Sequence, residues 1–407
     1  MSRLYATYHL SCDVAAIAAR AQALALEQSI ECPLEAVPEP AILDEIVARV
    51  DDITELASGR FAVRLALAAA TAPPEPGQLI NMLFGNSSLQ DDIALVDVEW
   101  PHNYLAAFGG PRLGIAGLRH RCGAHRRALT ASALKPQGLP PSALAGLAGT
   151  LARSGIDLIK DDHGIADQAY SPFAARVSAV SRAVAEANAA RGGHTLYAPN
   201  LSGTLDDLRR QLDLARAAGA AAVLVAPMIV GLASFHALVR EAEGLAVIAH
   251  PALAGAAKLA PPLLLGKLFR LLGADATVFP HSGGRFGYSA ATCRQLADAA
   301  RAPWPPLQPC LPVPAGGMSV DRVPELLACY GEDVMLLIGG SLLSARDRLG
   351  AAAAEFVAAV AEQGAAHHAY NEDWSDERSD QQAQHTAAAA AARRGAGALA
   401  GCRAAGL

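Results

Sequence analysis

Concentrated positive charge is the first thing this sequence lacks. Its 407 residues include 33 lysines and arginines against 39 aspartates and glutamates, a formal net charge of −6. The basic residues are scattered, so the chain offers no positive surface for a nucleic-acid backbone or an anionic membrane. We therefore expect no nucleic-acid partner and no membrane partner.

Long hydrophobic runs and paired cysteines are also missing. No apolar run reaches the roughly 18 residues that a membrane-spanning helix needs, and no basic segment followed by an apolar one begins the chain. The seven cysteines are odd in number, widely spaced and never arranged as C-x-x-C. We expect reduced, mostly structural cysteines and a cytoplasmic location.

Hydrophobic residues make up 52% of the chain, enough for a large core, and the length favours two domains. Residues 1–122 mix apolar stretches (4–10 and 61–68) with an alanine-rich helical pattern at 14–28, which predicts a small α+β domain. Residues 365–407 turn to acidic, glutamine-rich and Ala/Arg/Gly low-complexity sequence. We expect this tail to be disordered.

Residues 123–364 repeat a short apolar strand, a turn and a helix. Eight such strands close a parallel barrel, whereas an open doubly wound sheet usually carries a glycine fingerprint after its first strand. The segment Leu134-Lys135-Pro136 is not such a fingerprint. The fold class is therefore α/β, a C-terminal (β/α)₈ TIM barrel after the α+β domain. The predicted strands are 129–134, 157–159, 195–198, 222–226, 245–249, 276–279, 310–313 and 334–338.

Catalytic side chains of such barrels lie where strands end. The second strand ends in the run Lys160-Asp161-Asp162-His163, although aspartates in a turn also serve simply as helix caps. Lys135 closes the first strand, where a lysine beside apolar walls can act as base or nucleophile, or can be an ordinary surface lysine.

Histidines and glycines follow four later strands. One histidine alone is more often structural, but His250 and His281 end consecutive strands, which favours function. Gly316-Gly317 and Gly339-Gly340 follow strands seven and eight, where barrels frequently bind phosphate. Either glycine pair alone could serve a tight turn, so the phosphate prediction depends on their joint placement.

These segments resemble, in the same order, successive barrel motifs of the RuBisCO large-chain superfamily. The resemblance covers roughly residues 1–362, and Glu27 and the Gly85-Asn86 pair resemble family positions in the N-terminal domain. The barrel segments that carry it are Ser132-Ala133-Leu134-Lys135-Pro136, Ile159-Lys160-Asp161-Asp162, His250, Pro280-His281-Ser282-Gly283, Pro314-Ala315-Gly316-Gly317 and Ile338-Gly339-Gly340.

The resemblance implies a head-to-tail homodimer in which Glu27 and Asn86 complete the neighbour's active site. It implies Mg²⁺ held by Lys160 as a carbamate and by Asp162, where the metal would stabilise an enediolate. His163 is the third candidate ligand, and with it Mn²⁺ becomes an alternative to Mg²⁺. It also implies that Lys135 is the mobile acid/base. His250 and His281 would contact substrate hydroxyls and phosphate, and the phosphate would bind at Gly316, Gly317, Gly339 and Gly340.

The departures from the carboxylating pattern indicate a non-carboxylating, form IV relative. His163 replaces a glutamate ligand and weakens the case for Mg²⁺, so a metal-free acid/base role for His163 stays open. Gln137 replaces a second lysine, and Pro251 replaces a phosphate-binding arginine. The loop His281–Gly287 has no counterpart of the flexible-loop lysine that carboxylation needs.

We expect an enzyme that enolises a mono-phosphorylated ketose, foremost an isomerase of the 5-methylthioribulose 1-phosphate type, because the site offers several proton carriers. Within this superfamily, enolases of a diketo methylthiopentane phosphate are also known. The second expectation is a lyase, a decarboxylase or hydrolase of the 3-oxo-isoapionate 4-phosphate type. A catalytically silent phosphate-binding or regulatory protein, and an unrelated aldolase with a Schiff base on Lys135, stay open.

Overall fold

The computed structural model describes residues 2–365, so nearly all of the predicted tail lies outside the described residues. The N-terminal part is an antiparallel sheet in the order β2-β3-β1-β4 with helices against it. The alternation of β1 buries Leu4, Ala6, Tyr8 and Leu10 in its core. Its elements are β1 (Arg3–Ser11), α1 (Ile17–Glu27), α2 (Pro40–Glu45), β2 (Arg49–Ala57), β3 (Arg60–Ala68), α3 (Pro76–Phe84), β4 (Ile93–Glu99), α4 (His102–Phe108) and α5 (Gly114–Cys122).

The remaining strands are all parallel and form the barrel in two arcs, β13-β5-β6-β7 and β12-β11-β10-β9-β8. The arcs meet where β12 lies beside β13 and where Pro199 separates β7 from β8. These strands are β5 (Leu129–Leu134), β6 (Leu158–Asp161), β7 (Leu196–Ala198), β8 (Asn200–Leu201), β9 (Ala222–Val225), β10 (Ala246–Ala249), β11 (Ala276–Pro280), β12 (Leu311–Ala315) and β13 (Met335–Leu337). The predicted barrel is confirmed, with its third strand divided in two.

Helices surround the barrel, and residues 349–365 form a further helix after β13. One segment, Pro262–Leu268, is a π-helix that continues into α11. The helices are α6 (Pro141–Arg153), α7 (Phe173–Arg191), α8 (Leu205–Ala217), α9 (Pro227–Val230), α10 (Leu232–Glu241), α11 (Phe269–Leu271), α12 (Ala290–Arg301), α13 (Val323–Tyr330) and α14 (Gly340–Leu343). Between residues 2 and 365, no helix is long and apolar enough to cross a membrane.

Backbone hydrogen bonds join the N-terminal sheet to the barrel. Leu95 of β4 donates its N–H to the Lys258 carbonyl at 3.1 Å and accepts from the Ala260 N–H at 2.9 Å. The Lys258 and Lys267 ammonium groups lie near carboxylates of the N-terminal part. Helix α5 packs Ile115, Leu118 and Cys122 into the barrel's inner core. The domain boundary that we predict at residues 122/123 stays a prediction.

The six cysteines among the described residues are free, as the sequence predicts. Cys122, Cys293 and Cys310 are buried, and burial raises the pKa of each thiol. A raised pKa keeps a thiol protonated and unreactive. These three buried cysteines therefore serve as packing residues of the core. Cys402 lies outside the described residues.

Candidate active site

A cavity of about 1000 Å³ opens at the carboxyl ends of the barrel strands. Strand parity explains which side chains enter it, because alternate residues of a strand face opposite sides. The inward residues of β6 are Leu158 and Lys160, and Asp162 continues that parity. The predicted residues that line the cavity are Lys135, Lys160, Asp162, His163, His250, Gly316, Gly317, Gly339 and Gly340.

Lys160 is the most buried amine in this cavity, with 3% of its surface exposed. Its Nζ donates a hydrogen bond to the backbone carbonyl of Asp161 at 2.9 Å. Burial lowers the pKa of Lys160 to about 8; the negative charge of Asp162 opposes this shift and the positive charge of Lys135 adds to it. With this pKa, about a tenth of the Lys160 amine is neutral at pH 7, far more than for an ordinary lysine.

Asp162 lies between two cationic groups. The Nζ of Lys135 is 2.8 Å from Oδ1 of Asp162, and Nδ1 of His163 is 3.7 Å from the same oxygen. Burial acts to raise the pKa of Asp162, but hydrogen bonds from His163 and Lys135, with the charge of Lys160, outweigh burial and hold the pKa well below its ordinary range. Asp162 is therefore an anion under all ordinary conditions.

The rings of His163 and His250 are stacked across the cavity, with centroids 4.1 Å apart and an interplanar angle of 15°. The backbone N–H of Ala252 donates to Nδ1 of His250 at 3.2 Å, which assigns the ring proton to Nε2. Burial lowers the pKa of His250 to about 2, and the charges of Lys160 and His163 add to that effect. His250 is therefore a neutral hydrogen-bond donor.

Asp161, which the sequence places in the same tetrapeptide, faces away from the cavity. Its Oδ1 accepts from the Tyr197 hydroxyl at 2.8 Å, and its Oδ2 accepts from Nε of Arg176 at 3.0 Å and from the Asn200 N–H at 3.1 Å. The Nδ2 of Asn200 donates to the His163 carbonyl at 3.0 Å. This network fixes the backbone that carries Lys160 and Asp162, and sequence reasoning missed it.

His281 also faces outward, although we expected it to reach toward the barrel axis. The inward residues of β11 are Ala276 and Val278, and Pro280 lines the cavity, so the next residue lies behind the wall. The Nδ1 of His281 is 2.7 Å from the Tyr330 hydroxyl, and Nε2 is 3.2 Å from an Arg322 nitrogen. Its predicted catalytic role stays a prediction that the placement does not favour.

The Gly316-Gly317 pair has φ angles of +88° and +80°, which favour glycine. A Cβ on Gly284 would lie 1.9 Å from the Gly316 carbonyl oxygen, so the loop after β11 packs tightly on the pair. Gly339 and Gly340 line the cavity from the end of β13, with Ser341 beside them. Backbone N–H groups from two adjacent strand ends thus border the same cavity, as the phosphate prediction requires.

Glu27 and Asn86 do not line this chain's cavity. Glu27 ends α1 and is partly exposed, and exposed Asn86 donates to Oε1 of Glu31 at 2.6 Å. Their predicted contribution to a neighbouring subunit's site stays a prediction. Several lining residues were not foreseen because loop sequences carry no periodic pattern; these are Leu253, Arg285, Phe286, Tyr288, Met318 and Ser319.

Residues 114–288 match the family model described as the catalytic domain of the ribulose bisphosphate carboxylase large chain. "Ribulose bisphosphate carboxylase-like protein 1" of Rhodopseudomonas palustris is 66% identical over 362 residues, covering 89% of this chain and 98% of the relative. A Rhodospirillum rubrum protein named 5-methylthioribulose-1-phosphate isomerase is 59% identical over 360 residues, covering 88% of this chain and 96% of the relative. A Geobacillus kaustophilus 2,3-diketo-5-methylthiopentyl-1-phosphate enolase is 34% identical over 294 residues, 70% of each chain.

Solved structures give the same result. The crystal structure of a RuBisCO-like protein from Rhodopseudomonas palustris aligns with a TM-score of 0.84 and 64% identity, over 89% of this chain and 98% of that one. Octameric RuBisCO from Pyrococcus horikoshii aligns with a TM-score of 0.82 at 24% identity, over 88% of this chain and 87% of that one, a likeness that supports the fold alone.

The barrel, its N-terminal sheet and these relatives define the class: the chain belongs to the RuBisCO large-chain family. Within that family it is a non-carboxylating RuBisCO-like protein of form IV.

Proposed function

We propose that this protein is an enzyme that isomerises a mono-phosphorylated ketose of the 5-methylthioribulose 1-phosphate type. One observation carries the proposal: a single cavity holds two lysines, two histidines and one carboxylate at one end of the barrel, with the two glycine pairs in the same wall. The Rhodospirillum rubrum relative supports the choice of substrate.

An isomerase of this kind removes a proton from a carbon beside the substrate carbonyl and returns a proton to a neighbouring carbon. Lys135 is placed for this exchange because its side chain is 34% exposed at the cavity and its Nζ lies 2.8 Å from Asp162. The carboxylate holds the amine in position, and the exposure leaves it free to reach the substrate. Lys135 therefore acts as the mobile acid/base.

His250 and the glycine pairs bind rather than exchange protons. The neutral His250 presents Nε2–H to the cavity, so it donates a hydrogen bond to a substrate oxygen on which negative charge develops. Phosphate binds at Gly316, Gly317, Gly339 and Gly340, where backbone N–H groups are available.

The fit to a divalent cation depends on Lys160. Among residues 2–365 no group of three or more histidine, cysteine or acidic side chains is arranged to hold a metal. Asp162 would supply one oxygen ligand and a carbamate on Lys160 another, and both suit Mg²⁺ or Mn²⁺. His163 would supply a nitrogen, a ligand that Mg²⁺ favours less. Such an ion would polarise the substrate carbonyl and the adjacent hydroxyl.

The proposal includes a homodimer with shared active sites. In this arrangement Glu27 and Asn86 reach the mouth of the partner's barrel, which agrees with their absence from the lining of their own chain's cavity. Loss of activity on dilution to monomer would follow, because each cavity then lacks two polar groups.

The test is incubation of the purified protein with 5-methylthioribulose 1-phosphate in D₂O, with and without Mg²⁺ or Mn²⁺ and bicarbonate, followed by NMR. We expect an isomerised ketose phosphate, deuterium wash-in, and loss of both in Lys135→Ala. The matched control is Lys258→Ala, whose lysine pairs with Asp91 outside the cavity.

Two results would contradict the proposal. One is a folded wild-type protein that exchanges no proton of the substrate under any of these conditions. The other is release of CO₂ from a 3-oxo acid sugar phosphate offered in parallel, with no isomerisation of the ketose, which would transfer the assignment to a decarboxylase.

A further inference from the structure

The cavity has a second side that the proposed chemistry does not use. Polar side chains come from the ends of β5 and β6 and, with His250, from the end of β10. Beyond these residues, the loops after β10, β11 and β12 present mainly apolar surface to the same space. These three loops are neighbours because β10, β11 and β12 pair in that order. Their apolar lining residues are Pro251, Ala252, Leu253, Phe286, Tyr288 and Met318.

Leu253 is the unusual member of this side. Its φ of +67° is a left-handed conformation that leucine rarely adopts. Local hydrogen bonds maintain it: the Ala254 N–H donates to the Pro251 carbonyl at 3.0 Å, and the Ala256 N–H donates to the Leu253 carbonyl at 3.1 Å. Leu253 nevertheless remains 56% exposed. Leu253 thus combines a strained backbone conformation with an exposed apolar side chain at the cavity. Backbone strain of this kind is concentrated at functional sites.

The loop after β10 has no cation from Pro251 to Ala257, and the nearby arginines belong to other loops. The Arg285 guanidinium lies 5.5 Å from the centroid of the Phe286 ring, within the range of a cation–π contact. Arg322 pairs with Glu325 at 2.8 Å and contacts His281 behind the wall. Pro251, which follows His250, has no charge to offer. The loop after β10 is therefore poorly equipped to bind a second phosphate.

We propose that Leu253, with Pro251 and Ala252 beside it, forms the subsite that receives an apolar thioether substituent at the end of the ketose remote from its phosphate. The inference rests on the proposed function and adds the group that determines specificity. A thioether substituent is apolar and gains free energy when it leaves water for contact with such side chains. The loop after β10 is separated from β12 by β11, and the glycine pairs leave the phosphate on the β12–β13 side. The subsite selects an alkylthio ketose phosphate over one with a hydroxyl at the same carbon.

Leu253→Gly tests this because glycine prefers a positive φ, so the variant removes the side chain and relieves the backbone strain together. We expect its melting temperature to equal or exceed that of wild type. The kcat/KM for 5-methylthioribulose 1-phosphate should fall about 10-fold, mostly through KM, and that for ribulose 1-phosphate should stay unchanged. Leu89→Ala is the control, since Leu89 is 83% exposed and does not line the cavity.

Titration calorimetry with both ketose phosphates accompanies the kinetics, so that the preference is measured even if the wild type binds without isomerising. Binding with the expected preference but without turnover would end the proposed function and leave the subsite standing. The subsite would be overturned if Leu253→Gly kept the wild-type preference between the two ketoses, whether or not the kcat/KM for both fell equally. If an unchanged preference came with a shift from dimer to monomer, Leu253 would be a subunit contact instead.

Discussion

The two ends of the barrel differ in how completely their buried charged groups are hydrogen-bonded. At the amino-terminal end, Asp157 precedes β6 and accepts from both terminal nitrogens of Arg127, at 2.6 and 2.9 Å, and from the Thr130 N–H and hydroxyl, at 2.8 and 2.9 Å. Asp275 precedes β11 and accepts from three backbone N–H groups, those of Leu113, Gly114 and Val247, at 2.7 to 2.9 Å. These carboxylates are saturated with donors.

At the carboxyl end, the charges are left incompletely paired. Lys160 has three N–H donors, and its described hydrogen bond goes to one carbonyl, that of Asp161. Two amines, Lys135 and Lys160, lie near the single carboxylate of Asp162. Groups satisfied by the protein stabilise the fold, whereas groups left available can bind and transform a substrate. Mutations at the two ends should therefore separate stability from activity.

The largest expected effect is on activity, in Lys160→Met. Methionine fills a similar volume without a buried ammonium, so we expect kcat/KM to fall about 10³-fold while the free energy of unfolding stays equal or rises. Steady-state kinetics and urea unfolding measure the two quantities on the same preparation. If Lys160→Met unfolded more easily than wild type, the contrast between the two ends would be lost.

Asp157→Ala should give the reverse result. It leaves Arg127 and the buried Thr130 N–H without their acceptor, so the free energy of unfolding should fall by about 3 kcal/mol. Activity per folded molecule should stay at the wild-type value. Asp91→Ala removes a fully exposed carboxylate and serves as control. A large drop in activity with unchanged unfolding would argue against a purely structural role for Asp157.

The same contrast shows what the sequence could predict. The eight strand positions and the inward placement of Lys135, Lys160 and His250 followed from apolar runs and from the residues that end them. The outward placement of His281 did not, because a parallel strand buried on both faces has no apolar/polar alternation to reveal its parity. Thr277 and Val278, on opposite faces of β11, are both fully or nearly fully buried.

Contacts between distant segments were likewise beyond the sequence. The stacking of His163 on His250 requires the loops after β6 and β10 to converge, which depends on barrel closure. The third strand divides at Pro199 because proline has no N–H to donate to the neighbouring strand. The predicted strand 195–198 stops at this proline and misses the continuation. The strand resumes at Asn200, whose N–H donates to Asp161, a partner that only the tertiary structure supplies.

Acid should destabilise the carboxyl end through His250. Its pKa is about 2 in the folded protein against an ordinary 6.5, so the unfolded chain binds one more proton between these values. The stability that depends on neutral His250 is fully present above pH 6.5 and is lost as the pH falls. His250→Asn keeps an acceptor for the Ala252 N–H but does not titrate. Between pH 6.5 and 5 the wild type should lose about 2 kcal/mol relative to this variant, measured by urea unfolding.

Parallel unfolding curves for wild type and His250→Asn over this pH range would contradict that prediction. They would mean that His250 is solvated well enough to accept a proton in the folded state. The stacked His163 ring and the Ala252 N–H would then not hold His250 in the neutral form that the proposed substrate contact requires.

The smallest expected effect concerns Asp161 behind the cavity, whose carboxylate accepts three hydrogen bonds, as Asp275 does at the amino-terminal end. Tyr197→Phe removes the hydroxyl that donates to Asp161 at 2.8 Å, and the free energy of unfolding should fall by about 1 kcal/mol. Activity should fall only a few-fold, because Arg176 and Asn200 still hold Asp161; exposed Tyr170→Phe is the control. A loss of activity as large as that of Lys160→Met would show that saturated charges also govern catalysis here, and the separation between the two ends would fail.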